Sequence, residues 1–220
     1  DIWLHVDAAW GGSCLFSATH RSLMNGVELA DSVCWDAHKM MGLPMICSAF
    51  LVRDQNLLKK ICAHTNIGHY LFQDDAENID LGRLSLQCGR RNDALKLFLA
   101  WREIGDAGWA KMVDNYMDLA DYLEEKIKSH PNLELVSTRQ WTNLCLRFEN
   151  SEGDLDVLNA EIRKRMMQGG QFMISQSTLN GKTILRPAIA NPNISKTSLD
   201  ELISEITSTA DDIIRNIPAE

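Results

Sequence analysis

Short apolar runs, each closed by polar residues, pattern the first hundred positions. Ile2–Val6 ends at Asp7. Asp31–Trp35 ends at Asp36-Ala37-His38-Lys39, and Cys47–Val52 ends at Arg53-Asp54. Runs of this length predict strands alternating with helices around a buried sheet of α/β type. In such sheets the polar residues at the carboxyl ends of strands line the ligand crevice, which singles out Asp7 and the His38-Lys39 pair. Residues 66–75 carry little periodicity and predict a long loop of the kind that covers active sites. Leu95, Leu97, Phe98 and Trp101 then recur at near-helical spacing, predicting a helix over Asp93–Gly105 with the glycine as its stop.

Beyond residue 105 the texture changes. Trp109–His130 predicts a long amphipathic helix ended by Pro131. Strands are expected at Leu133–Ser137 and Asn143–Phe148, and a helix at Asp154–Met167 stopped by Gly169-Gly170. Gln171–Ser175 and Thr183–Ala188 read as strands joined through Asn180-Gly181, a strong hairpin signal. Ser195 is a good N-cap for a last helix reaching about Arg215. The expected organisation is therefore a large α/β region over 1–105 and a smaller α+β layer with an antiparallel sheet over 106–220.

Composition narrows the class. Of the 220 residues 45% are apolar and 24% charged, as in an ordinary globular chain. The net charge of -8 disfavours nucleic acid as a partner, because that role needs a basic face. No window has the roughly 18 apolar residues that span a bilayer, so no membrane association is expected. The six cysteines form no C-x-x-C pair and the histidines lack zinc-like spacing, so no metal site is expected. They read as reduced thiols of a cytoplasmic protein. The chain opens within a strand-like pattern and without an initiator Met, which suggests the C-terminal piece of something longer.

Lys39 is the centre of the chemistry. A lysine in a semi-apolar crevice has its ammonium form disfavoured, which makes the amine nucleophilic and suited to a Schiff base. The plainer reading is a solvated surface lysine. Asp7 is followed by Ala8-Ala9-Trp10-Gly11-Gly12, small residues that leave room for a flat ligand. A carboxylate there suits a pyridinium nitrogen, although it would equally serve as a helix cap.

Taken together the motifs are more specific. They run His5-Val6-Asp7-Ala8-Ala9-Trp10-Gly11-Gly12, Trp35-Asp36-Ala37-His38-Lys39-Met40-Met41-Gly42, Tyr70-Leu71-Phe72-Gln73 and Leu86-Gln87-Cys88-Gly89-Arg90-Arg91. The chain resembles the group II amino-acid decarboxylases, within the fold-type I pyridoxal-phosphate enzymes of aspartate-aminotransferase-like fold. The wording is most similar to glutamate and cysteine-sulfinate decarboxylases. The resemblance covers essentially the whole chain, as the C-terminal half of the large domain plus the small C-terminal domain.

The resemblance implies roles. Lys39 would hold pyridoxal 5'-phosphate as a Schiff base, Asp7 would pair with the ring nitrogen, Ala9 would pack on one ring face and His38 would sit beside the cofactor. Tyr70 would be the mobile-loop proton donor and Arg186 the receiver of the substrate α-carboxylate. Left to themselves, His38 also reads as a packed imidazole, Tyr70 as a surface residue and Arg186 as a structural ion-pair partner. Arg90-Arg91 suit either an acidic substrate or salt bridges. The implied reaction is decarboxylation of an acidic amino acid. The alternatives are a basic or aromatic substrate such as 2,4-diaminobutyrate, or a fragment active only with a chain supplying the missing half. A homodimer is implied. Two segments depart from the family wording: Asp36-Ala37 stands where acidic-substrate members read Asn-Pro, and residues 77–83 lack an Asp-Thr-Gly-Asp run.

Overall fold

The computed structural model describes residues 2–54, 56–62, 81–87, 89–150 and 153–216. The chain divides into two compact units, Asp1–Ala110 and Lys111–Glu220.

The first unit is built on a three-stranded sheet in the order β1 (His5–Asp7), β2 (Ser32–Asp36), β3 (Ser48–Val52). β1 and β2 are parallel, with His5 opposite Ser32 and Asp7 opposite Cys34. β2 and β3 are antiparallel. The first strand is shorter than the apolar run that predicts it. The Asp31 carboxylate takes the Leu4 backbone N–H at 2.8 Å, and Asp31 and Ser32 both donate to the Leu4 carbonyl. A side chain thus ends the ladder at residue 5, and Ile2 is left 95% exposed.

The helix expected between β1 and β2 is absent; the crossover is three short 3-10 turns, at Gly11–Phe16, Arg21–Met24 and Val27–Leu29. Local polar groups account for this. Ser17 Oγ accepts the N–H groups of Thr19 and His20, and Gly26 adopts a φ of 96°. Such bonds compete with helix formation. The sheet is also not the buried one that was expected. Trp3, Phe50 and Leu51 are all more than half exposed, because nothing among the described residues covers them.

After β3 comes α1 (Leu57–Cys62), a further 3-10 turn at Leu81–Leu84, and α2 (Asp93–Ser129). The two helices predicted around residue 105 are continuous except at Gly105, whose φ of 69° and ψ of 172° only glycine adopts without strain. Trp101 Nε1 donates to Asp106 Oδ1 at 2.7 Å across that break. Edge-to-face contacts run from Trp35 through Phe16 and Trp101 to the fully buried Trp109.

The second unit holds a four-stranded antiparallel sheet in the order β4 (Leu133–Leu135), β5 (Leu146–Phe148), β7 (Lys182–Arg186), β6 (Ser175–Leu179). α3 (Leu155–Gly169) and α4 (Lys196–Arg215) complete it with the latter part of α2. Asp154 caps α3 through the N–H groups of Asp156 and Val157, and Ser195 caps α4 in a reciprocal capping box with Ser198. The core is dense: Tyr116, Leu123, Ile127, Leu146, Phe148, Ile162, Leu185 and Ile206 are essentially inaccessible. Burial pushes the Tyr116 phenol up to about 12, and its hydroxyl donates to the Ala190 carbonyl at 3.2 Å. The buried Asn159 amide bonds both backbone groups of Phe148, tying α3 to β5.

The hairpin turn lies at Asn180-Gly181 as expected, both residues at positive φ. Because a two-residue turn pairs Leu179 with Lys182, the strands extend evenly from it. This moves β6 to residues 175–179 from the expected 171–175, and β7 stops at Arg186 rather than residue 188. β5 begins only at Leu146, since Asn143 makes isolated bridges to Gln140 and Ala188 beside the positive-φ Trp141.

Candidate active site

Asp7 closes β1 at the sheet's carboxyl edge. Its Oδ1 accepts the Ala9 backbone N–H at 3.1 Å and the Cys34 thiol at 3.2 Å. The bond to Ala9 closes a local turn rather than capping a helix: the following 3-10 turn has Trp10 at its N-cap, with no side-chain cap. The Ala9 and Cys34 hydrogen bonds, aided by the charges of Lys39 and His5, hold the exposed Asp7 carboxyl below its ordinary value. It is an anion at neutral pH. Oδ2 accepts nothing from the described residues.

Ala9 follows at the same edge, its carbonyl accepting the Asp36 N–H at 3.3 Å. Gly12 packs beneath: a Cβ there would lie 2.9 Å from the Ala8 methyl and 3.1 Å from the Trp35 ring. The Ala-Ala-Trp-Gly-Gly wording therefore serves close packing of this corner.

β2 ends at Asp36, and the chain turns through hydrogen bonds from Lys39 to Asp36 and from Gly42 to Lys39. Buried Ala37, Met40 and Met41 anchor that turn, leaving His38 and Lys39 half-buried. Lys39 Nζ lies 2.8 Å from Asp36 Oδ2. Burial works against the Asp36 charge, but hydrogen bonds from Lys39 and Ser48 outweigh it and hold the carboxyl below its ordinary value. Lys39 is therefore neither a freely solvated lysine nor one in an apolar crevice; it is an ion-paired amine at a strand end. His38 is held at Nδ1, 3.0 Å from the Cys47 carbonyl and 3.3 Å from the Cys47 N–H. That leaves Nε2 as its outward nitrogen.

Arg186 ends β7 in the second unit and is exposed. Its Nε donates to Ser175 Oγ at 3.2 Å, while that hydroxyl donates to the Arg186 carbonyl at 2.9 Å. It makes no ion pair among the described residues, unlike the buried Arg147, which bridges Glu149 and Asp156. Tyr70 and Cys88 lie outside the described residues. Arg90 and Arg91 are exposed.

Lys39, His38, Asp7 and Ala9 thus share one edge of the first unit's sheet. Sequence reasoning left three partners there without a role: Cys34, Asp36 and Ser48. The period-two alternation of β2 puts Cys34 and Asp36 on one face, but their partners are set by strand register and by the turn.

A family model described as "Pyridoxal-dependent decarboxylase conserved domain" matches residues 1–149. The chain belongs to the pyridoxal-dependent decarboxylases. The acidic amino acid decarboxylase GADL1 of Bos taurus is 37% identical over 93% of this chain and 42% of that protein. Cysteine sulfinic acid decarboxylase of Homo sapiens is 37% identical over 96% of this chain and 46% of its own length. The chain therefore spans less than half the length of these curated relatives. Among solved structures, mouse CSAD in apo form superposes with a TM-score of 0.86 at 35% identity, covering 96% of this chain and 46% of that one. Oryza sativa TDC with PLP and tryptamine superposes with a TM-score of 0.85 at 25% identity, covering 96% and 45%. The fold of this pyridoxal-dependent decarboxylase chain is fold-type I. Its own residues fit the cofactor: an amine and an anionic carboxylate, one oxygen of which accepts nothing from the described residues, stand at neighbouring strand ends. They match an aldehyde at one end of the cofactor ring system and a cationic nitrogen at the other.

Proposed function

We propose that these 220 residues supply the lysine and the carboxylate of a pyridoxal-phosphate decarboxylase acting on a small acidic α-amino acid. The observation carrying this reading is the pairing of β1 with β2, which sets the anionic Asp7 beside the strand leading to Lys39. Its substrate class is supported by likeness to proteins named for acidic amino acids and cysteine sulfinic acid.

Pyridoxal phosphate, when bound, supplies the electron sink for the pair left behind as carbon dioxide departs. Lys39 would hold the cofactor covalently through its amine, which Asp36 orients from 2.8 Å. Asp7, an anion at neutral pH, would keep a proton on the ring nitrogen. His38 would pack beside the ring, and Ala9 would leave space for the ring face. Arg186 would bind the α-carboxylate, steadied by Ser175. Tyr70 would deliver a proton to the α-carbon, a general-acid role worth about 10²–10⁴-fold. The reading includes a homodimer, or a chain carrying the remaining half of the large domain, as the complete assembly. It also includes a cytosolic setting, in keeping with the unpaired state of five described cysteines.

Borohydride reduction of the loaded, complete protein, followed by peptide mapping, tests the site: the pyridoxyl group is expected on Lys39. A label on Lys59 or Lys60 overturns the assignment. A second substrate reading, a basic amino acid, is favoured by one observation. The glutamate decarboxylase domain of the Vibrio parahaemolyticus diaminobutyrate-pyruvate transaminase and L-2,4-diaminobutyrate decarboxylase superposes with a TM-score of 0.80 at 26% identity. Carbon dioxide release from glutamate, cysteine sulfinate, aspartate and diaminobutyrate in parallel separates the two.

A further inference from the structure

We infer that Cys34 is a positioning residue for the cofactor-facing carboxylate: its thiol proton pins Asp7 Oδ1 and leaves Oδ2 to meet a cationic ring nitrogen. The inference rests on the roles proposed above for Lys39 and Asp7.

Cys34 lies directly opposite Asp7 in the parallel pair. Its Sγ is 3.2 Å from Oδ1, and the Ala9 N–H reaches the same oxygen at 3.1 Å. The two donors come from different chain segments. The Ala9 bond is local and moves with the turn that contains Asp7. The Cys34 bond crosses the sheet and ties the carboxylate to the strand that leads to Lys39. With the thiol in place, rotation of the carboxylate costs a hydrogen bond as well as a rotamer change. A carboxylate that must hold one proton on one ring atom needs this kind of fixed orientation.

The donor has to keep its own proton. Burial first, then the hydrogen bond to Asp7 and the Asp7 charge, push the Cys34 thiol up, so it remains S–H at neutral pH. The charged groups facing Asp7 are Lys39, just beyond β2, and His5 on its own strand, and both favour the anion. Cys34 adds the orientation that these charges do not.

The test uses the complete protein loaded with pyridoxal phosphate. The readout is the pH at which the cofactor is lost on the acid side, followed by its absorbance, with near-ultraviolet circular dichroism to monitor the fold. Cys34→Val fills the thiol's place with an apolar side chain one heavy atom larger and has no proton to donate, Cys34→Ala repeats the loss with a smaller side chain, and Cys34→Ser keeps a donor. Losing the donor lets the Asp7 carboxyl rise toward its ordinary value. The acid midpoint should therefore move up by about 0.5–1 pH unit in the valine and alanine variants and stay with the wild type in the serine variant. Donor-free variants that fold and keep the wild-type midpoint overturn the inference. So does a serine variant that moves as far as valine, since packing would then be the cause. A wild type that takes no cofactor on Lys39 removes the reading of the site and this inference together. A wild type that loads normally beside an unshifted Cys34→Val removes the inference alone.

Discussion

The second unit closes its own core, whereas the first leaves apolar faces in solvent. Ile162, Leu185 and Ile206 are within 0–2% of complete burial, while Phe50 and Leu51 on β3 are 52% and 58% exposed. Yet it is the first unit that gathers Asp7, His38 and Lys39. Chemistry and self-sufficiency are thus divided along this chain. The unit with the reactive groups depends on surfaces that the described residues do not supply, as fits a span of less than half the length of its relatives.

The largest effect that could break this comparison is folding itself. Expressed separately, residues 111–220 should unfold in one cooperative thermal transition. Residues 1–110 should self-associate and bind an apolar fluorescent dye, as large exposed apolar patches do. A cooperative, dye-free first unit would erase the contrast. Next come single substitutions read by denaturant unfolding of the complete protein. Ile162→Ala should cost about 2–5 kcal/mol, and Phe50→Ser under about 0.5 kcal/mol unless a partner surface covers β3.

A smaller effect concerns the ion pair at the site. Asp36 is held below its ordinary value, so the pair stabilises the fold fully above the usual aspartate range and loses that stabilisation as pH falls through the lowered value. Asp36→Asn should flatten this acid-side dependence. The same change removes the carboxylate holding the Lys39 proton. Stopped-flow mixing of the apoprotein with pyridoxal phosphate at neutral pH should then show faster capture, because the amine is released from its ion pair. An unchanged rate would mean that Asp36 serves the fold alone. A more local effect is that of Ser195→Ala, which removes the capping box of α4 and should cost about 1 kcal/mol. That cost should appear in the isolated second unit as fully as in the whole protein.

Legibility followed the same division. In the second unit the helix start near Asp154, the cap at Ser195 and the turn at Asn180-Gly181 were all readable from sequence, because each is decided by a few neighbouring residues. In the first unit the strand ends at Asp7 and Asp36 were readable, but the crossover between them was not. Ser17 and Gly26 favour 3-10 turns through local bonds that apolar periodicity does not register. Two pairings at the site, Cys34 with Asp7 and Asp36 with Lys39, were also missed. The first is a matter of register between strands, which the hydrophobic pattern alone does not fix. The second is a local turn in which the i, i+3 spacing of Asp36 and Lys39 brings amine and carboxylate together without any mark in the apolar pattern.

The two-residue turn at Asn180-Gly181 also bears on how this chain can change over time. Side chains alternate between faces along a strand, so inserting or deleting one residue in the turn would exchange the outlooks of Leu185 and Arg186. A guanidinium would then replace a fully buried leucine in the core. Point substitutions at Arg186 can be explored one at a time, but length changes at the turn offer no gradual route. The hairpin acts as an index that keeps Arg186 on the outer face of the sheet.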